Sequence, residues 1–200
     1  MNAEPLPFLV DAGDAPGKQR ILRAALQLFA HKGLEGTSIR EIGALAGTSN
    51  PALYKHFENK DALALHLFVV CYRELWQQLS LAIAAQRGFE RQLRAMVDAF
   101  IAYHDASPEA VQFIAENTQT FWPRVPPPMA ERSVTILSRE LLRRGCEEGV
   151  IASGVPEPVR VLGVVGQLFQ LGRMIALGLM EGPGRRWTAD LQHQIRQMLE

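Results

Sequence analysis

Residues 37–57 read TSIREIGALAGTSNPALYKHF, and this stretch contains the start and stop signals of two short helices. Ser38 and Glu41 have the spacing of a capping box, in which each side chain accepts a hydrogen bond from the other residue's backbone N–H. Gly47 follows as a stop signal. The first helix is therefore predicted between these signals, with an apolar inner face made of Ile39, Ile42, Leu45 and Ala46.

A second short helix is predicted from Asn50 to Phe57. Ser49 can cap it, and Pro51 falls in its first turn, where the missing proline N–H costs nothing. Leu53 and Phe57 are its expected buried positions. Two short helices joined by a glycine-containing turn form a helix-turn-helix, whose second helix enters the major groove of DNA.

The outward side chains of this second helix suit a nucleic-acid duplex. Polar and small groups can contact base edges, while hydroxyls and cations can contact phosphates. The outward positions are Asn50, Ala52, Lys55 and His56, with Tyr54 nearby.

The rest of the chain also has helical periodicity. A first helix ends at Gly33, and a long fourth helix capped by Asn59 runs to about Gly88. Further helical segments follow, and no alternation typical of strands competes with them. We therefore predict an all-α protein of about nine helices, with an N-terminal three-helix helix-turn-helix domain followed by a larger helical domain.

Charge is distributed unevenly along the chain, although the formal net charge is zero. Residues 16–60 carry seven Lys or Arg against three Asp or Glu, and every lysine lies in the first sixty residues. A basic segment attached to a neutral body is the electrostatic pattern of a DNA-reading module. Many enzymes show a similar local excess, so the pattern favours DNA binding only together with the helix-turn-helix.

The run LYKHFENK at residues 53–60, at its spacing from the turn AGTS, resembles the DNA-binding segment of the TetR (tetracycline-repressor) family. The resemblance covers roughly residues 18–65, and beyond them it extends only to the number and length of the helices. Two positions depart from the family pattern. Thr48 stands where an apolar residue is common, and Gly43, where alanine is common, should cost its helix about 1 kcal/mol.

The resemblance implies base contacts from both helices of the motif. Arg40 would face the major groove and could read a guanine edge. Asn50, Pro51 and Ala52 would lie nearest the bases, and Pro51 or Ala52 could touch a thymine methyl group. Alternatively, Arg40 could pair with a neighbouring acid.

The resemblance also implies phosphate contacts. The residues expected there are Thr37 and Ser38 at the start of helix two, Tyr54, His56 and, at the start of helix four, Lys60. Lys55 could contact either a base or a phosphate, and the turn residues Thr48 and Ser49 complete the predicted DNA-binding set. Alternatively, Tyr54 is a core aromatic residue and His56 an ordinary surface histidine.

Residues 157–181 are apolar on almost every helical face, so a helix there must be buried all round. A membrane span is the rival interpretation, but Arg173 would be costly in lipid. We therefore expect a homodimer in which residues 157–181 and 188–199 build an intersubunit four-helix bundle, as the resemblance also implies. A two-fold pair would read a palindrome with half-sites about 34–36 Å apart.

The resemblance further implies a ligand pocket in the middle helices, so the larger domain is expected to bind a ligand and to dimerise. Its aromatic side chains would suit a small apolar or aromatic effector held by one or two polar contacts. The residues concerned are Trp76, Phe100, Tyr103, His104, Phe113, Phe121, Trp122 and Phe169. Each could equally be a core residue, and His104 on an apolar face is more often a satisfied core histidine.

Three segments are expected: a disordered N-terminal tail at 1–15, the helix-turn-helix domain at 16–62, and the effector-binding and dimerisation domain at 63–200. The acids and prolines of the tail do not fit a signal peptide, so a cytoplasmic protein is expected. Cys71 and Cys146 match neither a disulfide framework nor a metal-ligand spacing, and we expect no metal or cofactor.

Together these features predict a transcriptional regulator that binds double-stranded operator DNA. The family resemblance favours a repressor that its effector releases from a palindrome, and an activator is the alternative. An enzyme is disfavoured because the sequence contains no nucleophile elbow, phosphate loop, metal-ligand cluster or paired carboxylates on one helix face. An architectural DNA-binding protein would not need the large neutral helical domain.

Overall fold

The computed structural model describes residues 7–9, 16–151 and 154–200. Within those ranges lie nine α-helices, three short 3-10 helices and an isolated α-helical turn at Pro127–Ala130, and no β-strand. The nine helices are α1 (Pro16–Lys32), α2 (Ile39–Ala46), α3 (Asn50–Tyr54), α4 (Lys60–Ala84), α5 (Phe89–Ala106), α6 (Pro108–Phe121), α7 (Val134–Glu147), α8 (Glu157–Ala176) and α9 (Thr188–Leu199). The all-α prediction is confirmed.

Three helices are shorter than their sequence patterns predict. Helix α4 ends at Ala84 rather than near Gly88. Helix α3 ends at Tyr54 rather than Phe57, although the backbone N–H of Phe57 still donates to the Leu53 carbonyl at 3.1 Å. Helix α8 ends at Ala176, within the apolar segment predicted to continue to residue 181. Gly178 adopts a φ of 69°, a left-handed conformation that glycine reaches without strain and that ends a helix.

The chain divides into two compact units, residues 1–74 with 112–125, and residues 75–111 with 126–200. Two of the three divisions fall inside α4 and α6, so the first unit contains more than a three-helix domain. The predicted boundary at residue 62 stays a prediction.

The first unit has a core built from one apolar face of each of its helices. Ile42 on α2 and Leu53 on α3 are fully buried. Phe29 on α1 stacks on Phe113 of α6, with ring centroids 5.7 Å apart. Complete burial of each such side chain contributes about 1.5–3 kcal/mol, so these contacts hold the short helices α2 and α3 in place.

In the second unit, α8 packs against α7 and α9. Its buried positions are Arg160, Val161, Val164, Leu168, Leu171 and Gly172. The start of α5 is joined to the end of α7, because the Glu148 carboxylate accepts the backbone N–H of Phe89 at 3.0 Å.

Most of the predicted N-terminal tail lies outside the described residues. Within it, residues 7–9 form one turn of 3-10 helix that contacts α1, and the Leu9 side chain is fully buried.

One predicted core position of the helix-turn-helix is wrong. Leu45 is 50% exposed, because the inner face of α2 is centred on Ile42, Gly43 and Ala46 and leaves Leu45 at its edge. An eight-residue helix makes little more than two turns, so a small rotation about its axis decides which edge residue is covered.

Candidate nucleic-acid interface

The N-terminus of α2 is fixed by the predicted capping box, which is confirmed. The Ser38 hydroxyl oxygen accepts the Glu41 backbone N–H at 3.2 Å, and the Glu41 carboxylate accepts the Ser38 backbone N–H at 2.9 Å. Lys32 on α1 donates to the same carboxylate at 2.7 Å. The Ser38 hydroxyl also donates to the carboxylate, at 2.9 Å. The donation from Lys32, with those from the Ser38 backbone N–H and hydroxyl, lowers the pKa of Glu41 from 4.5 to about 2.

Helix α3 begins as the sequence predicts. Gly47 adopts a φ of 60° and ends α2, and the Ser49 hydroxyl accepts the Ala52 backbone N–H at 3.3 Å. Pro51 lies in the first turn of α3. Two short helices are thereby held at a tight turn, with Leu53 as the buried anchor of the second.

The predicted outward residues of this motif are solvent-accessible. Ala52 and Thr48 are half-buried, and the others are exposed: Ser38, Arg40, Ser49, Asn50, Pro51, Tyr54, Lys55 and His56. Tyr54 is 52% exposed, so it is not a core aromatic residue. Arg40 forms no ion pair with a carboxylate among the residues that the structure describes.

Thr37 does not lie on this surface. Its side chain is 2% exposed, and its hydroxyl donates to the Gly33 carbonyl at 2.9 Å and the Leu28 carbonyl at 3.3 Å. The hydroxyl is therefore committed to carbonyls near the end of α1, which does not favour the phosphate contact predicted for it. Thr37 shapes the connection between α1 and α2 instead.

Lys60 at the start of α4 is half-buried and has two backbone partners. Its ammonium donates to the Leu34 carbonyl at 2.6 Å and to the Thr37 carbonyl at 3.0 Å. These bonds satisfy two carbonyls in the link between α1 and α2. An ammonium has three N–H donors, so one is left for a phosphate.

The next residue, Asp61, ties the start of α4 to the short 3-10 helix that follows α6. The Asp61 carboxylate accepts two hydrogen bonds from the guanidinium of Arg124, one of them at 2.9 Å from Nη1. This pairing holds the pKa of Asp61 below its usual value. The fixed start of α4 therefore carries a paired carboxylate beside Lys60, a feature that the sequence analysis did not identify.

The residues predicted to line an effector pocket divide between the two units. Phe113, Phe121 and Trp122 belong to the first unit, where Trp122 lies against Tyr72 with ring centroids 4.9 Å apart. Phe113 and Phe121 are fully buried. For these two side chains the geometry favours the core interpretation.

The other five predicted pocket residues belong to the second unit. Phe100 is fully buried and meets the edge of Phe169 at 5.2 Å between centroids. Trp76 is half-buried beneath the guanidinium of Arg132. Tyr103 is also buried.

His104 is 5% exposed, and its Nδ1 lies 3.2 Å from the Asp105 carboxylate. That carboxylate also accepts the backbone N–H of Gly184. This is the geometry of a core histidine with a satisfied ring nitrogen.

Open clefts that no sequence pattern predicts flank α8 on two sides. A cleft of about 670 Å³ lies between α8 and α9, and one of about 480 Å³ lies between α8 and α7. Leu162 and Gly166 border both, and Phe169 is the predicted pocket residue that lines the second. Both clefts are mainly apolar, so they border an uncovered apolar face of α8.

The described residues contain no group of three or more His, Cys, Asp or Glu side chains that could hold a metal ion. Cys71 is fully buried, and this burial raises the pKa of its thiol.

A sequence model of bacterial regulatory proteins of the tetR family matches residues 21–67. Among curated relatives, the chain is 46% identical over 48 residues to the transcriptional regulator YerO of Bacillus subtilis, covering 24% of this chain and 17% of that protein. It is 29% identical over 106 residues to the transcriptional activator FasR of Mycolicibacterium smegmatis, covering 53% of this chain and 48% of that protein. It is 26% identical over 142 residues to the transcriptional repressor SCO4008 of Streptomyces coelicolor, covering 70% of each.

The matched region thus spans under half of the length of YerO and of FasR. Solved structures match a larger part of this chain than the curated relatives do. A regulatory protein of the tetR family from Rhodococcus RHA1 superposes with a TM-score of 0.79 at 18% identity, covering 93% of this chain and 98% of that one.

Proposed function

We propose that the chain is a cytoplasmic transcriptional regulator of the TetR family of bacterial regulatory proteins, whose model matches residues 21–67, and that it binds a palindromic operator as a homodimer. The supporting observation is the motif of α2 and α3, with exposed Arg40, Asn50 and Lys55 on a surface anchored by the buried Leu53. Such side chains reach base edges and phosphates when α3 lies in the major groove.

Base reading is proposed for Arg40, Asn50, Pro51 and Ala52, and phosphate contacts for Ser38, Tyr54, His56 and Lys60. Lys55 can reach either group. Thr48 and Ser49 are proposed to contribute at the turn. Thr37 is left out of this set because its hydroxyl is occupied by backbone carbonyls.

The proposed homodimer uses α8 and α9. Helix α8 is 20 residues long and mainly apolar, yet only 33% of its most apolar stretch is buried. Val159 and Leu162 on it are 52% and 69% exposed. By length and composition α8 could also cross a membrane, but it packs on α7 and α9 and carries Arg160 and Arg173, which favours a second copy of the chain as its cover.

We propose repression as the mode of action, with a small apolar or aromatic effector that releases the operator. Four curated relatives besides SCO4008 are named repressors, and FasR is named an activator. Activation therefore stays the second candidate. An effector of either kind acts only if it binds one dimer geometry more tightly than the other.

The test is selection of duplexes from a pool with randomised positions, using the purified full-length protein, followed by titration of the winner against a scrambled duplex. We expect a palindrome with half-site centres about 34–36 Å apart and at least about 10³-fold preference over the scrambled duplex. A protein that selects no sequence, or that binds all duplexes equally at low salt, would contradict the proposal. Transcription in vitro from a promoter carrying the selected site then separates repressor from activator.

A further inference from the structure

Gly43 lies on the buried side of α2, against the start of α3. A Cβ atom placed on Gly43 would lie 3.0 Å from the side-chain oxygen of Asn50 and 3.1 Å from the carbonyl oxygen of Thr48. Both distances are shorter than ordinary contacts of a Cβ atom. The Asn50 carboxamide therefore occupies space that any side chain at position 43 would need.

The two neighbours differ in how easily they can move. Thr48 is held by its backbone N–H, which donates to the Gly43 carbonyl at 2.9 Å. Asn50 is exposed, and its carboxamide can rotate about two side-chain bonds. A methyl group at position 43 would therefore displace the Asn50 carboxamide by a few tenths of an ångström before it displaced the turn.

We propose that Gly43 is a positioning residue that determines base specificity by setting where the Asn50 carboxamide lies at the DNA surface. This inference rests on the proposed function. A carboxamide discriminates between bases by pairing both its oxygen and its nitrogen with one base edge, and such pairs depend on hydrogen-bond distance and angle. Gly43 itself touches no DNA in this scheme and acts through Asn50.

The chain offers a matched control for the added methyl group. Gly17 lies in α1, at a helical position where a Cβ atom would meet nothing within 4 Å. Gly17→Ala and Gly43→Ala both replace a helical glycine by alanine, and only the second places the methyl group against Asn50.

The experiment compares wild type, G17A, G43A, N50A and the double variant G43A/N50A. Each is titrated with the duplex that wild type selects and with the duplexes that change one base pair at a time within a half-site. The position read by Asn50 is identified as the one where N50A loses discrimination. Thermal unfolding of each variant is recorded alongside.

We expect G43A to lose roughly fivefold or more of the discrimination at that one position and to keep the others within about twofold. G17A should behave as wild type. In the N50A background, the G43A substitution should change no preference, because the group that it displaces is absent. A merely structural role of Gly43 would weaken binding to all duplexes alike.

Three results would overturn the inference while leaving the proposed function intact. One is wild-type discrimination at every position in G43A. Another is an N50A variant that keeps its preference everywhere. The third is an equal effect of G43A with and without Asn50.

Folding of the variants is also informative. If G43A does not fold but G43A/N50A does, the close approach to Asn50 is the cause and the inference is supported. If both fail to fold, the Thr48 carbonyl dominates and the inference is wrong. A wild-type protein that selects no duplex would instead overturn the proposed function.

Discussion

Arg40 is the exposed guanidinium of α2, one residue before the capping glutamate that fixes the helix start. A guanidinium in this place can donate two parallel hydrogen bonds to a guanine edge. We expect Arg40→Ala to weaken binding to the selected operator by about 1–3 kcal/mol and to relax specificity at one base pair. Fluorescence anisotropy titrations on matched and substituted duplexes measure both effects.

The control for this substitution is Arg143→Ala, which removes an exposed arginine of α7 that pairs with Glu147. It should leave operator affinity unchanged. Equal losses on operator and scrambled duplex for Arg40→Ala would mean that this residue contacts a phosphate instead of a base.

Lys60 combines a structural role with a proposed phosphate contact. Lys60→Met keeps the aliphatic stem but removes the donor to the Leu34 and Thr37 carbonyls, so we expect the free energy of unfolding to fall by about 1–3 kcal/mol. The exposed Lys55 is the control, and Lys55→Met should change that free energy by less than about 0.5 kcal/mol. Urea denaturation measures the difference.

DNA binding separates the two roles of Lys60. Each lysine variant should lower the slope of log affinity against log salt concentration by about one if the lysine meets a phosphate. An unchanged slope with reduced stability for Lys60→Met would assign Lys60 to the fold alone.

At the level of the helix, the start of α2 depends on the ionised Glu41. Its pKa is about 2 in the folded protein, below the usual 4.5, so the charged form is favoured by folding. The stabilisation is complete above about pH 4.5 and is lost as the pH falls towards about 2. We expect Glu41→Gln to lower the unfolding temperature at pH 7, with a difference from wild type that shrinks between pH 4.5 and pH 2.

Unfolding temperatures of both proteins across this pH range provide the measurement, and a carboxylate-resolved NMR titration gives the pKa directly. A difference that stays constant with pH would show that the charge of Glu41 is not involved. An ordinary pKa near 4.5 would show that the contact with Lys32 does not persist in solution.

At the level of the whole molecule, the uncovered face of α8 is expected to carry dimerisation. Leu162→Glu places a charge between the two clefts, and burying it unpaired should weaken the dimer at least about 100-fold. Leu81 on α4 is 70% exposed outside this face. Leu81→Glu is thus a matched control that should stay dimeric.

Sedimentation velocity over a range of concentrations determines the two dissociation constants. The Leu162→Glu monomer should also lose its preference for the palindrome, because one α3 reads a single half-site. If Leu162→Glu stays dimeric, or if both variants dissociate, the proposed interface is wrong.

The local signals of the chain were sufficient for the helix-turn-helix. The capping box at Ser38 and Glu41, the stop at Gly47 and the cap at Ser49 each act on backbone groups no more than four residues away, so their geometry can be predicted from spacing alone. The exposed positions of α3 follow from the same short periodicity, and Leu53 is buried as predicted.

Properties that depend on distant segments could not be obtained in this way. Lys60 was predicted at a phosphate, but its ammonium donates to the Leu34 and Thr37 carbonyls, which lie 26 and 23 residues away in the chain and are brought close by folding. The rotation of α2 about its axis, which exposes Leu45, likewise depends on which surfaces pack together. The same is true of the division of the aromatic residues between the two units. Helix signals act over one turn, whereas burial and hydrogen-bond partners are set by contacts between residues far apart in the chain, and these exist only in the folded protein.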